Sequence, residues 1–248
     1  MIYIKSKNEI ELMRVAGRVT AGVLNEVEKC IKPGITTKEL DEIAEDYIRR
    51  NDCIPAFKGL YGFPASICAS VNCEVVHGIP NSRKLQEGDI VGIDTGAIYH
   101  GFNGDAARTF PVGKISEEAQ RLIDVTKQSF FEGIKKAKAG YRLSDISNAI
   151  QTYVENNGFS VVREYVGHGI GRKMHEDPQI PNFGPPGRGP KLKDGMTLAI
   201  EPMINAGDYH VKVMDNEWTV VTLDGSLSAH YENTILITDN EPEILTVI

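Results

Sequence analysis

Two aspartates, Asp94 and Asp105 in IVGIDTGAIYHGFNGDAARTF (90–110), lie in runs that read as β-strands joined by a tight reversal. In a hairpin closing around Tyr99-His100, or through a loop from Ile98 to Gly101, cross-strand partners have residue numbers that add to 199. That register sets Asp94 directly opposite Asp105, with Cβ atoms about 4.5–5.5 Å apart, which is destabilising for like charges. The second half of the chain offers another pair. Glu201 stands in LAIEPMI and Glu232 in SAHYENTILI, and their midpoint of 216.5 falls in MDNEW, where Asp215-Asn216 can turn the chain. Four carboxylates in one cleft cannot all ionise, because repulsion raises their pKa values. Two divalent cations remove the conflict, and a neutral imidazole would complete a site for Mn, Fe, Co or Zn. His168 in GHGIG is the candidate, since flanking glycines let the backbone approach closely. Gly92 and Gly96 stand two residues either side of Asp94, with Asn103 and Ala107 beside Asp105, so open space is expected above the acids. Singly, each acid would read as solvated surface and His168 as structural; the pattern as a set reverses that. His100 reads as a turn residue, His210 and His230 as exposed or as supports behind the ligands, and Glu74 and Asp177 as surface.

The elements that must carry these residues show an internal duplication. KPGITTKELDEIAEDYIRRN (32–51) aligns with KAGYRLSDISNAIQTYVENN (138–157) at an offset of 106, and KLQEGDIVGID (84–94) with KLKDGMTLAIE (191–201) at 107. The second match lays Asp94 over Glu201. Near-equal offsets in separate segments imply a duplicated α/β unit, with halves at roughly 30–112 and 136–238 of a single domain, 1–248. Ser6 with Glu9 and Thr36 with Glu39 have the form of capping boxes, each ahead of apolar residues at helical spacing. Ser116, followed by Glu117 and Glu118, predicts a helix to about Lys138, and Ser144 with Asp145 one that ends at Asn156-Asn157-Gly158. Strands are predicted at 66–71, 89–97, 103–112, 160–166, 196–204, 211–223 and 229–238. Strands grouped after helices in each half give an α+β fold, antiparallel sheet covered on one side by helices. Five of the twelve prolines lie between Pro178 and Gly195, an irregular connection expected at the rim of the site.

Composition narrows the partners. With 41% hydrophobic and 25% charged residues, the 248-residue chain has the make-up of a globular domain. The net charge of −7 and the lack of a basic tract argue against nucleic acid. No apolar run approaches the ~18 residues of a membrane span, and MIYIKSKNEIELM lacks the apolar core of a signal peptide. Cys30, Cys53, Cys68 and Cys73 have no CxxC spacing and read as free thiols rather than a zinc site. A cytoplasmic protein is expected.

HGIP (77–80), GIDTGAIYHGFNGDAARTF, GHGIGRKMHEDP, LAIEPM and YENTILIT, in this order over essentially the whole chain, resemble type I methionine aminopeptidase. The resemblance implies the pita-bread fold of two pseudo-symmetric αβ halves. It implies metal ligation by Asp94, Asp105, His168, Glu201 and Glu232, with Asp105 and Glu232 bridging two ions, and substrate contacts by His77 and His175. It further implies removal of N-terminal methionine when the second residue is small, the free α-amine binding a metal. On the same resemblance two bound ions would supply an acidified water to attack the carbonyl, Glu201 would serve as base, and the metal and His175 would stabilise the oxyanion. The methionine pocket would be lined by Phe57, Leu60, Phe63, Cys68, Met174 and Trp218; family members often carry Cys or Tyr at the first three. FKGLYGFP and the lone tryptophan support an aromatic pocket suited to a thioether. Only 30 residues separate Glu201 from Glu232, too few for the type II insertion, and no Cys/His-rich extension precedes the domain. A short bacterial-type, monomeric enzyme acting on nascent chains at the ribosome is implied. The competing readings are an X-Pro aminopeptidase or dipeptidase of the same fold, a non-catalytic peptide-binding module, and a two-metal phosphoesterase.

Overall fold

The computed structural model describes residues 1–248. Helix starts follow the caps read from sequence. In α1 (Lys7–Cys30) the Ser6 hydroxyl accepts from the Glu9 amide while Glu9 accepts from the Ser6 amide, and in α2 (Thr37–Arg50) Thr36 and Glu39 do the same. Ser116 caps α3 (Glu117–Ile134), which stops four residues short of Lys138 because the chain tightens into i→i−3 bonds at Lys136 and Ala137. The fourth helix, α4 (Leu143–Asn156), starts before Ser144: Asp145 accepts from the Arg142 amide, and the Ser144 hydroxyl instead accepts from the Arg188 amide.

Strands, numbered in chain order, form four sheets. The first joins β1 (Ile54–Pro55), β4 (Ile90–Tyr99), β2 (Ile67–Val71) and β5 (Phe102–Pro111), with β4 central. The corresponding sheet of the second half runs β15 (Glu243–Ile244), β14 (Asn233–Leu236), β9 (Thr197–Ile200), β7 (Gly167–Gly169), β8 (Glu176–Ile180). Two smaller sheets hold β13 (Ser228–His230), β10 (Met203–Asn205), β6 (Ser160–Val161), and β11 (Val211–Val213), β12 (Val220–Thr222), β3 (Glu74–Val76). All pairings are antiparallel. Strands β1, β3, β7, β8 and β15 were not foreseen; each is five residues or fewer, too short to show clear alternation.

The halves are built alike. Thr36 bridges Lys84 as Arg142 bridges Lys191; Leu85 donates to Ile35 as Leu192 donates to Tyr141. Those pairs are displaced by 106 and 107 residues, the offsets of the sequence repeat. Each half has its own core on the helix side of its sheet. In the first, Val23, Leu24 and Val27 of α1 and Leu40, Ala44 and Ile48 of α2 cover Ile67, Ala69, Val91, Ile93 and Ala106. In the second, Leu122 and Phe130 of α3 and Ile146, Ile150 and Val154 of α4 cover Leu198, Ile200, Ile204 and Ile235. The opposite sheet faces meet and form the cleft.

The β4–β5 hairpin turns at His100-Gly101, both at positive φ (46° and 81°), with Tyr99 opposite Phe102. Partner numbers therefore add to 201, not 199. A two-residue turn of this kind needs φ > 0 at both positions, which Gly101 tolerates and a Tyr99-His100 turn would not provide. Asp94 now faces Ala107 and Asp105 faces Gly96. The two-residue slip preserves side-chain parity, so the acids share one face as diagonal neighbours. The second reversal is one long ribbon. Pairs β9–β14, β10–β13 and β11–β12 all keep partner numbers adding to 433, which is the sum of 201 and 232. Only the start of the proline-rich segment borders the site, Gln179 lining the space beyond His175 and Asn182 holding the Glu201 carbonyl. Gly184 to Pro190 straps α4: the Leu143 and Ser144 amides at the helix start find acceptors in the Pro190 and Arg188 carbonyls, while the Gly187 and Arg188 amides donate to Asp145 Oδ1 and Ser144 Oγ.

Helix α1 reaches the hairpin by close backbone contact. A Cβ at Gly104 would lie 2.8 Å from the Gly17 nitrogen and 2.9 Å from the Ala16 carbonyl carbon. Gly104→Ala is expected to force the helix away and lower unfolding free energy by about 1–3 kcal/mol; an unchanged urea midpoint would contradict this packing.

Candidate metal centre and active site

The seam between the halves places the acids. Glu232 donates its amide to the Ala107 carbonyl at 2.9 Å, and the Thr234 hydroxyl donates to the Asp105 carbonyl at 2.9 Å while accepting from the Asp105 amide. Thr109 makes the same double bond with His230. Threonine hydroxyls thus stand in for missing backbone pairs, stitching β5 to the 230–234 segment. Beneath the seam, Arg108 donates to the carbonyls of Ala107 and Glu232 and to Asn233 Oδ1, and lies 4.0 Å over the Tyr231 ring.

Asp94, Asp105, His168, Glu201 and Glu232 line one cavity of about 280 Å³. His168 sits on β7 between glycines that nothing larger could replace. A Cβ at Gly167 would meet the Ala199 oxygen at 2.5 Å, and one at Gly169 the Asp177 oxygen at 2.1 Å. Its Nδ1 lies 2.9 Å from the Gly169 carbonyl, which fixes the proton there and leaves the Nε2 lone pair facing the acids. Nε2 is 3.5 Å from Glu201 Oε1 and 3.7 Å from Asp105 Oδ2. Burial, helped by the neighbouring His175, lowers the His168 pKa to about 4, so it is neutral near pH 7. His168 therefore turns only an acceptor toward the four carboxyls.

Burial pushes the carboxyl of Asp94 up to about 7 and raises those of Asp105, Glu201 and Glu232 well above the usual range, with mutual repulsion adding to the last three. Asp94 Oδ1, Asp105 Oδ1 and Glu232 Oε1 are buried without a hydrogen-bond partner. Unpaired buried acceptors are expensive, and a divalent cation satisfies several at once. Donor atoms of Asp105, His168 and Glu232 already lie within 4.8 Å of one another, as do those of Asp94, His230 and Glu232. The oxygen-rich set with one or two imidazoles fits first-row divalent ions.

Of the two expectations for His230, exposed or supporting the ligands, the structure agrees with the second. His230 is buried, not exposed, with Nε2 3.7 Å from Glu232 Oε2. The signal was present, since residues two apart on a strand share a face. Glu74 is likewise half-buried, accepting from the Val71 amide and pairing with Arg83.

Beside the acids, Phe57, Leu60, Phe63, Cys68 and Trp218 line the same cavity, with Trp218 edge-on to Phe63 at 5.1 Å. Met174 does not line it. It is buried behind, where a Cβ at Gly96 would touch its Cε at 3.0 Å, so Gly96 makes room for methionine rather than for open space above Asp105. His77 and His175 flank the acids, and burial holds His77 down at about 4 and lowers His175. Tyr61, in the glycine-broken FKGLYGFP, stacks on His175 at 5.8 Å, and Tyr165 meets His77 edge-on at 5.6 Å. An adjoining cavity of about 520 Å³ continues past His77, His175 and Glu201 to Tyr165 and Met203.

Residues 11–239 match the model of metallopeptidase family M24, and the chain belongs to that family. It is similar to the methionine aminopeptidase of Clostridium perfringens, 63% identical over the full length of both chains, and to methionine aminopeptidase 1 of Bacillus subtilis, 58% identical over 99% of each. The crystal structure of methionine aminopeptidase from Thermotoga maritima superposes with a TM-score of 0.99 at 51% identity, each chain fully covered. Prolidase from Pyrococcus furiosus shares the pita-bread fold alone, at a TM-score of 0.81 and 24% identity, this chain covering 65% of its length. No helix is long and apolar enough to cross a membrane.

Stability should report the strain in the acid cluster. The raised carboxyls keep protons in the folded state that the unfolded chain, with carboxyl pKa values near 4, has released. Stability of chelated protein is therefore expected to fall as pH rises from about 4 through the folded-state values, the share of Asp94 being lost by about pH 7, with a slope of about 1.4 kcal/mol per pH unit for each proton retained. The lowered histidines act in the opposite direction, but only below about pH 6.5. Melting temperatures measured with chelator and with Mn(II) check this: the metal should remove the slope, and a flat profile in chelator would contradict it.

Proposed function

We propose that the chain is a dinuclear metal-dependent methionyl aminopeptidase that removes N-terminal methionine from nascent proteins and peptides when the second residue is small. One observation carries the reading: five convergent donors, three of the oxygens buried without partners, adjoin an apolar aromatic pocket in the same cavity. Two divalent ions of the Mn, Fe, Co or Zn type, held by Asp94, Asp105, His168, Glu201 and Glu232, would supply Lewis acidity to polarise the scissile carbonyl and acidify water.

The remaining work falls to side chains. Glu201, its backbone fixed by Asn182 at 3.0 Å, takes the proton of the attacking water and passes it to the leaving nitrogen. His175, neutral at pH 7 and backed by Tyr61, donates its N–H to the developing oxyanion. His77, neutral as well, accepts from the amide of the second residue. Phe57, Leu60, Phe63 and Trp218 receive the methionine thioether, for which aromatic edges are favourable partners, while Cys68 stays a neutral thiol because burial raises it well above the usual range. Tyr165 and Met203, in the adjoining cavity, stand where a large second residue would have to fit. The single catalytic domain, with halves at about 30–112 and 136–238, would act as a monomer in the cytoplasm on chains emerging from the ribosome, with no direct contact to nucleic acid or membrane.

The test is hydrolysis of Met-Ala-Ser, Met-Leu-Ser, Leu-Ala-Ser and Ala-Pro-Ala by stripped protein refilled with Mn, Fe(II), Co or Zn. Methionine should be released from Met-Ala-Ser alone. Asp105→Asn should reduce kcat/KM by more than about 100-fold, since losing a group that merely orients a ligand already costs about 10–100-fold. Cleavage of Ala-Pro-Ala, or an unaffected variant, would overturn the assignment.

A further inference from the structure

The oxyanion partner His175 lies on a turn, and turns hold side chains loosely unless something anchors them. The anchor comes from the far end of the chain. Lys5 Nζ donates to Glu176 Oε2 at 2.6 Å, with the two side chains only 5% and 6% exposed. The other oxygen, Glu176 Oε1, accepts from the Lys173 amide at 3.2 Å, so one carboxylate closes the turn around Met174 and His175 while being held from outside. The Lys5 amide is itself fixed to the Gly195 carbonyl at 2.8 Å. Gly171 is cut to fit the pair: a Cβ there would lie 2.5 Å from Lys5 Cε and 2.7 Å from Glu176 Oε1. Glu176 also faces Gly169, the residue after His168, across the β7–β8 ladder. On the other side, Asn103 of β5 binds the Gly171 and Arg172 carbonyls.

We infer that Lys5 is a positioning residue for the reaction, setting the His175 ring through the buried ion pair with Glu176. A charged pair this deeply buried is a poor way to gain stability alone, because desolvation offsets most of the attraction. It is a good way to fix one geometry. The N-terminal segment, before any helix begins, is thereby part of the active-site scaffold. The inference rests on the aminopeptidase reading and names a residue outside the cavity.

The experiment compares wild type, Lys5→Met, and the double variant Lys5→Met with Glu176→Gln, all loaded with Mn(II). The single variant leaves an uncompensated buried carboxylate and should melt lower. The double variant removes the charge and should recover much of the melting temperature. If Lys5 positions His175, the double variant still loses about 10- to 100-fold in kcat on Met-Ala-Ser, with KM changed little. In 15N-histidine spectra of the same proteins loaded with diamagnetic Zn(II), the His175 signals of the double variant should shift while those of the exposed histidines His100 and His210 stay in place. A double variant with wild-type kcat and an unmoved His175 spectrum overturns the inference. If wild type itself cleaves no methionyl peptide, the functional reading fails instead, and the His175 spectrum still decides whether the tether exists.

Discussion

The structure is organised around electrostatic frustration. Four carboxylates and an imidazole lone pair are buried together, facing acceptors across distances that no hydrogen bond can serve. The protein alone can relieve this only by retaining protons, which is what burial does to Asp94, Asp105, Glu201 and Glu232. Divalent cations would relieve it better, and would turn a liability into Lewis acidity beside the apolar pocket.

Holding such a cluster demands a scaffold that does not spread under repulsion. Two halves with separate cores provide rigidity, and the seam between β5 and the 230–234 segment supplies the crosslink at the acids themselves. Thr109 and Thr234 extend that seam by side-chain bonds where regular pairing would stop. Glu201 and Glu232 ride a ribbon whose register never slips across three sheets, so neither acid can turn to the opposite face without breaking every pair beyond it. His77 and His175 sit on less regular backbone, where glycines allow close approach. His77 adopts φ of 59°, a strained value for a histidine, and Gly78 beside it lies too near the Ala69 carbonyl for any side chain.

Much of this is legible in the sequence alone. The duplication offsets recur as paired contacts, and the capping boxes of α1 and α2 form as read. The midpoint between Glu201 and Glu232 marked a true ribbon, because antiparallel pairing conserves the sum of partner numbers. The first hairpin was misplaced by one residue at the turn, since positive φ at two positions outweighs symmetric placement of the acids. Parity survived, so the acids still share a face. The role of 184–190 was not legible: a run of prolines and glycines says that backbone is irregular, not which surface it covers. Met174 stands behind the pocket it was expected to line for a similar reason. Lining a cavity and standing behind it involve the same burial, and only three-dimensional contacts distinguish them.

The most direct test of the central claim is anomalous diffraction from crystals grown with Mn(II). Peaks are expected within bonding distance of the carboxylates of Asp94, Asp105, Glu201 and Glu232, one of them also near His168 Nε2. An empty cavity at saturating Mn(II), with the carboxyls hydrogen-bonded to each other, would mean that protons alone resolve the cluster, and the account given for the site would be wrong.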